Sequence, residues 1–194
     1  MKGQNSLQTQ IARRGDGLSP TDLSLLATPL DFLCADHLRE RQVCSVIDWL
    51  ALSASFDPSA ARTVLRFVNE ELNIHMRDEA EDLFPLLARR CPAEDGIARA
   101  ISRIRTDLDE ATGLLPGLRS ALARCLDTGS GLTPEDRQLL PRLAGHVRRH
   151  LAAENAILLP IARARLTRRD LQKLSRQMRT RRGLSPYAET PDAE

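Results

Sequence analysis

Two histidines in this chain carry the same neighbours. His75 opens the stretch HMRDEAEDLFP and His150 opens HLAAENAILLP. In both, Glu follows at the fourth position (Glu79, Glu154), Leu at the eighth (Leu83, Leu158) and Pro at the tenth (Pro85, Pro160). Residues four apart on an α-helix lie nearly above one another, so each imidazole and its carboxylate face the same way. Such a pair offers one nitrogen and one oxygen to a single ion, and imidazole suits iron, copper or zinc. Two pairs on two helices of a bundle would form two halves of one metal site, joined across the core. The competing explanation is a repeat of solvated ion pairs that serves structure alone. On either reading Pro85 and Pro160 each remove a backbone hydrogen bond and are expected to bend or end their helices below the site.

A third histidine joins them. His37, in DHLRE, has helical spacing with Leu30, Leu33, Cys44, Ile47 and Ala51, an apolar stripe that should face a core. A histidine there is expected to share the layer of the two His/Glu pairs and to ligate. Cys34 and Cys44 flank it and would line the core as small apolar groups.

The elements that must hold these residues are legible from their start signals. Thr28-Pro29, Asp57-Pro58 and Thr133-Pro134 each place a capping residue before a proline, with Asp31 and Asp136 three residues after the first and third caps. Thr167 with Asp170 offers a further capping box. The expected helices run from about Pro29 to Ala54, Pro58 to Arg89, Ala93 to Leu126 and Pro134 to Ala164, the third bent at GLLPG (Gly113 to Gly117). A shorter helix covers about Thr167 to Arg182 and stops at Gly183. Short connections make neighbours antiparallel, which describes an all-α, up-down-up-down four-helix bundle. The expected division is a flexible segment over 1–24, the bundle over 25–166, an amphipathic helix docked on it over 167–183, and a flexible tail over 184–194.

Composition agrees with helices. Of the 194 residues 42% are hydrophobic and 28% charged, while only 3% are aromatic, as suits Leu- and Ala-rich helices better than sheets. A net charge of +2 dictates no partner. The N-terminal MKGQNSLQTQIARRGDG has no apolar core of a secretion signal, and no stretch is apolar and long enough for a membrane span. The four cysteines are scattered without a C-x-x-C pair, which suggests reduced thiols in the cytoplasm. The segment Arg163 to Arg182 holds nine Lys/Arg and one acid, yet Leu171, Leu174 and Met178 share a face. Docking of that face on the bundle is favoured over nucleic-acid binding, because no stacking aromatics accompany the charge.

The motifs together resemble the hemerythrin-like, or HHE cation-binding, family over about residues 25 to 183. The family's bundle carries a His on the first helix, H-x-x-x-E before LFP on the second, a His on the third and H-x-x-x-E on the fourth. Asp36-His37, HMRDEAEDLFP and HLAAENAILLP match three of the four. The resemblance implies a non-haem di-iron centre, its irons bridged by Glu79 and Glu154. It also implies a role in sensing or handling oxygen, nitric oxide, redox state or iron, with dioxygen, nitric oxide or peroxide as small partners. A di-iron oxidase or peroxidase, or a metal-free helical regulatory module, are the alternatives. Ferritin-like di-iron proteins use Glu-x-x-His, with the carboxylate first and a spacing of three, so they fit less well.

The departure is on the third helix, where RIRTDLDEATG has no histidine. Laying DHLRE over TDLDE puts Asp107 opposite His37 and makes it the expected replacement ligand. Glu110 one turn on, and His146 one turn before His150, are the other candidates. The expected metal set is therefore His37, His75, Glu79, Asp107, His150 and Glu154.

Overall fold

The computed structural model describes residues 19–187, and among them there are helices and turns but no strand. The long helices are α1 (Pro29–Leu52), α2 (residues 58–90), α3 (Ile97–Thr128) and α4 (residues 134–165), followed by α5 (Arg168–Arg181). A 3-10 turn, Leu23–Ala27, precedes α1.

Their ends follow the capping chemistry in three of four cases. Asp57 accepts hydrogen bonds from the amides of Ser59 (2.8 Å) and Ala60 (3.1 Å) at the start of α2. Thr133 with Asp136, and Thr167 with Asp170, form complete capping boxes on α4 and α5. Thr28 occupies the cap position of α1 but makes no side-chain cap; its hydroxyl donates instead to the Leu25 carbonyl of the 3-10 turn. The third helix starts at Ile97 rather than near Ala93. Ala93–Asp95 forms a short 3-10 turn, and Gly96 (φ 64°) takes the left-handed conformation that separates the two. The helix then runs through Pro116 without interruption and stops at Gly129 (φ 69°).

Two helices are not regular. α2 contains π turns at Phe67–Glu71 and Asp78–Leu83, and α4 contains one at Glu154–Leu158. Pro85 and Pro160 each lie just beyond a π turn. In both cases the amide of the residue before the proline reaches back five positions, Phe84 to the Glu79 carbonyl and Leu159 to the Glu154 carbonyl. The wider turn accommodates the missing proline N–H, so the helices continue where a break or bend was expected.

α1 packs against α2 and α4, and α3 packs against α2 and α4, which closes a bundle around two apolar clusters. One cluster holds Val43, Ile47, Leu50, Val64, Leu118, Leu122, Leu140 and Leu151 with their neighbours. The other holds Leu30, Leu33, Leu83, Phe84, Ile104, Leu158, Leu174 and Met178 with theirs. α5 docks by its apolar face as expected, Leu174 and Met178 being fully buried. Its basic face is anchored as well: Arg181 pairs with Asp78 and Asp82, Arg182 with Asp78 (2.7 Å), and Arg90 of α2 with Asp170 (2.8 Å). Of the segments expected to be flexible, residues 1–18 and 188–194 lie outside the described residues. Residues 19–24 are tied down: the Thr21 hydroxyl donates to Asp36 at 2.5 Å, and Leu26 just beyond is buried in the second cluster. No helix among the described residues is long and apolar enough to cross a membrane.

Candidate metal centre

Between the two apolar clusters lies a layer of buried charge. α1 supplies Asp36, His37 and Glu40, α2 supplies His75 and Glu79, and α4 supplies His150 and Glu154; each is at most 6% exposed. Both glutamates of the repeated motif lie in π turns, and the backbone carbonyl of each accepts the wide hydrogen bond that the downstream proline calls for. Sequence spacing from His to Pro thus sets the local winding at the glutamate.

The side chains converge. His37 Nε2 is 3.4 Å from Glu79 Oε1 and 3.2 Å from Glu154 Oε2. His75 Nε2 is 2.9 Å from Glu79 Oε1 and 3.2 Å from Glu40 Oε1. His150 Nε2 is 3.4 Å from Glu79 Oε2 and 3.3 Å from Glu154 Oε2. Glu79 therefore touches all three imidazoles, one oxygen facing His37 and His75 and the other facing His150. The structure brings His37, His75, Glu79, His150 and Glu154 together, as their spacing suggested.

Two neighbours fix how the imidazoles present themselves. Asp36 Oδ2 lies 2.8 Å from His75 Nδ1, and Asn155 Oδ1 lies 3.1 Å from His37 Nδ1. Asn155 is itself held by donating to the Leu151 carbonyl at 2.8 Å. Each acceptor takes the Nδ1 proton and leaves Nε2 aimed at the carboxylates, the tautomer a metal ligand needs.

The facing atoms fit a metal. His75 Nε2, Glu40 Oε1, Glu79 Oε2 and both Glu154 oxygens are buried yet have no hydrogen-bond partner. Buried polar groups without partners are rare and costly. Ligands at about 2.1 Å from a first-row metal would be spaced about 3.0–3.4 Å apart for octahedral to tetrahedral angles. The observed contacts of 2.9–3.4 Å match that spacing. The chemistry agrees too, imidazole nitrogens and carboxylates being a set for iron, manganese or zinc.

Charge is balanced here by proximity. Burial alone would lower the His37 pKa, but hydrogen bonds to Glu154 and Glu79 push it up to about 10. Burial likewise opposes the charged form of His150, and the charges of Glu79 and Glu154 push it up to about 9. His75 is raised well above its usual value by Glu40 and Glu79. Burial would raise Glu79, yet His75 and His150 hold it well below the carboxylate range. Glu154 is raised by burial and by the charge of Glu79.

The remaining candidates lie elsewhere. Asp107, Glu110 and His146 form an outer group of their own, with His146 Nδ1 2.9 Å from Glu110 Oε2 and 3.5 Å from Asp107 Oδ1. Arg149 bonds Asp107 at 3.0 Å. The inward stripe of α3 is Ile97, Ile101, Ile104, Leu108, Ala111, Leu115 and Leu118, in steps of four and three, and Asp107 sits one position off it. Beside His75 and His150, α3 presents only Leu108, Ala111, Thr112 and Leu115, which with Val147 line a small, mostly apolar pocket. Cys44 is buried in the first apolar cluster, and burial pushes its thiol up to about 12, the behaviour of an inert small side chain. Cys34 lies near Arg163.

Sequence reasoning missed Glu40 and Asn155, and read Asp36 only as part of the DH motif. Glu40 was the most accessible of these, since it occupies an inward slot of the α1 stripe between His37 and Cys44. Asn155, adjacent to Glu154, carries no such mark.

The family model for the hemerythrin HHE cation binding domain matches residues 28–162. The chain belongs to this family. That match covers the four long helices except the last three residues of α4, includes every residue of the buried layer, and establishes cation binding as the family's activity. No individually curated protein matches the chain.

Proposed function

We propose that this HHE-domain protein holds a non-haem iron pair in the buried layer and uses it to sense or handle dioxygen, nitric oxide, redox state or iron. The observation that carries the reading is the convergence of three imidazole Nε2 atoms and the Glu40, Glu79 and Glu154 carboxylates, with facing oxygens that no protein group satisfies. Iron bound there would supply redox chemistry and an affinity for small diatomic ligands. The chain's own residues do the rest. Asp36 and Asn155 orient the imidazoles, and the two apolar clusters exclude water on either side. The pocket against Leu108, Ala111 and Leu115 favours a small apolar ligand over a bulky substrate. The reading takes the helices as an up-down-up-down bundle with α5 as its docked extension, and places the protein in the cytoplasm.

The test is iron quantified per chain, with absorption spectra of the reduced protein before and after oxygen, nitric oxide or peroxide. Two irons per chain and a spectrum that answers to one of these ligands are expected. Iron-free protein that takes up no Fe(II) would refute the reading. Sustained turnover of peroxide or dioxygen would move it to the oxidase or peroxidase class.

A further inference from the structure

The family's third-helix imidazole is missing, and at the level of the site α3 presents neither imidazole nor carboxylate, the Thr112 hydroxyl being turned back to the Leu108 carbonyl. Something else must complete the cation position beside His75. The α1 stripe Leu30, Leu33, His37, Glu40, Cys44, Ile47, Ala51 advances in steps of three and four, so Glu40 points inward in a register otherwise apolar apart from His37. Its side chain is 1% exposed, and among the described residues its ion-pair contact is His75 alone. Asp36 accepts the Nδ1 proton of His75 at 2.8 Å, so the neutral ring, the form that binds metal, carries its lone pair on Nε2. That lone pair faces Glu40 Oε1 at 3.2 Å and Glu79 Oε1 at 2.9 Å, and neither contact has hydrogen-bond alignment. The ring nitrogen and two carboxylate oxygens at such distances need a proton or a metal ion among them, and a metal ion is the occupant that can bond to all three at once. Glu40 also borders the pocket whose far wall is Ala111 and Leu115, where the third-helix ligand would otherwise stand.

We propose that Glu40 is a direct ligand of the second cation, taking from α1 the place left empty on α3. One position is then built from His37, His150, Glu154 and Glu79, and the other from His75, Glu40 and Glu79, with Glu79 shared. The second position has one nitrogen and two carboxylates. It therefore takes a hard first-row ion such as Fe(II) or Mn(II) in preference to Cu(I). The inference rests on the layer being a cation site at all, and the experiment separates the two.

Metal-free full-length protein is titrated anaerobically with Fe(II), and bound iron is counted after desalting, for wild type, Glu40→Gln and Glu40→Leu. Gln keeps the shape without the charge, and Leu fits the apolar stripe, so at least one variant retains the fold; circular dichroism checks this. Expected are two irons per wild-type chain and one per variant chain, with the remaining iron held within a few-fold of its original affinity. Two irons in both folded variants at unchanged affinity would overturn the role of Glu40 and leave the cation site standing. One iron in wild type and variants alike would also overturn it. No iron in wild type would overturn the underlying reading.

Discussion

Asp36 makes the sharpest prediction because it touches the centre only through His75. Its Oδ2 lies 2.8 Å from His75 Nδ1, with Asp36 6% and His75 1% exposed. Burial would raise the Asp36 pKa, but the hydrogen bond and charge of His75 outweigh it and hold the carboxyl ionised. Replacing Asp36 by Ala removes the acceptor that fixes the ring and its tautomer. Loss of such a partner typically weakens metal binding about 10–100-fold, or about 1.4–2.7 kcal/mol. The metal-free protein should also lose about 1.5–3 kcal/mol, the range for a hydrogen bond to a charged group. Asp36→Asn keeps an acceptor oxygen within reach of Nδ1, so its affinity loss should stay below about tenfold. Anaerobic Fe(II) titration against a competing chelator gives the affinities, and thermal melts of metal-free protein give the stabilities. A folded Asp36→Ala variant with wild-type affinity, or Asn and Ala variants with equal losses, would refute the orienting role.

Replacing Glu79 and Glu154 together by Ala should abolish iron binding and remove the rise in melting temperature that iron gives the wild type, since a ligand stabilises only the state that binds it; retained iron would refute the site. The histidine shifts set two opposite pH trends. His37 and His150, raised to about 10 and 9, must lose protons to bind metal, so Fe(II) affinity should climb steeply with pH below about 9. In the metal-free protein their protonation favours the fold fully below about pH 6.5 and progressively less as pH rises to about 9–10. Melts across that window should fall for the metal-free protein and not for the loaded one. Arg181→Ala strips Asp82 and one partner of Asp78, both buried, and should cost about 2–3 kcal/mol in denaturant unfolding, below the 3–5 of a fully broken buried pair because Arg182 still holds Asp78. Asp107→Asn should leave iron stoichiometry unchanged, because Asp107 is engaged with Arg149 and His146; a lost iron would make it a ligand after all.

The repeated His/Glu/Pro spacing, the caps and the apolar stripes were enough to place His37, His75, Glu79, His150 and Glu154 in one layer of a helical bundle. Such features are local: a turn is 3.6 residues, and a ligand pair or a stripe needs no knowledge of the partner helix. The π turns were foreshadowed only by Pro85 and Pro160, because a proline specifies a missing amide bond but not whether the helix breaks, bends or widens. The third helix shows the limit most clearly. Laid over DHLRE, TDLDE made Asp107 the replacement ligand, yet the α3 stripe turns Leu108 and Ala111 inward and leaves Asp107 to Arg149. Glu40 was overlooked for the complementary reason. An acid in a charged run reads as solvated until the facing helices bury it against His75. Which carboxylates enter a low-dielectric core depends on helix rotation and on what stands opposite. Those are set by packing across the bundle, which no single helix encodes.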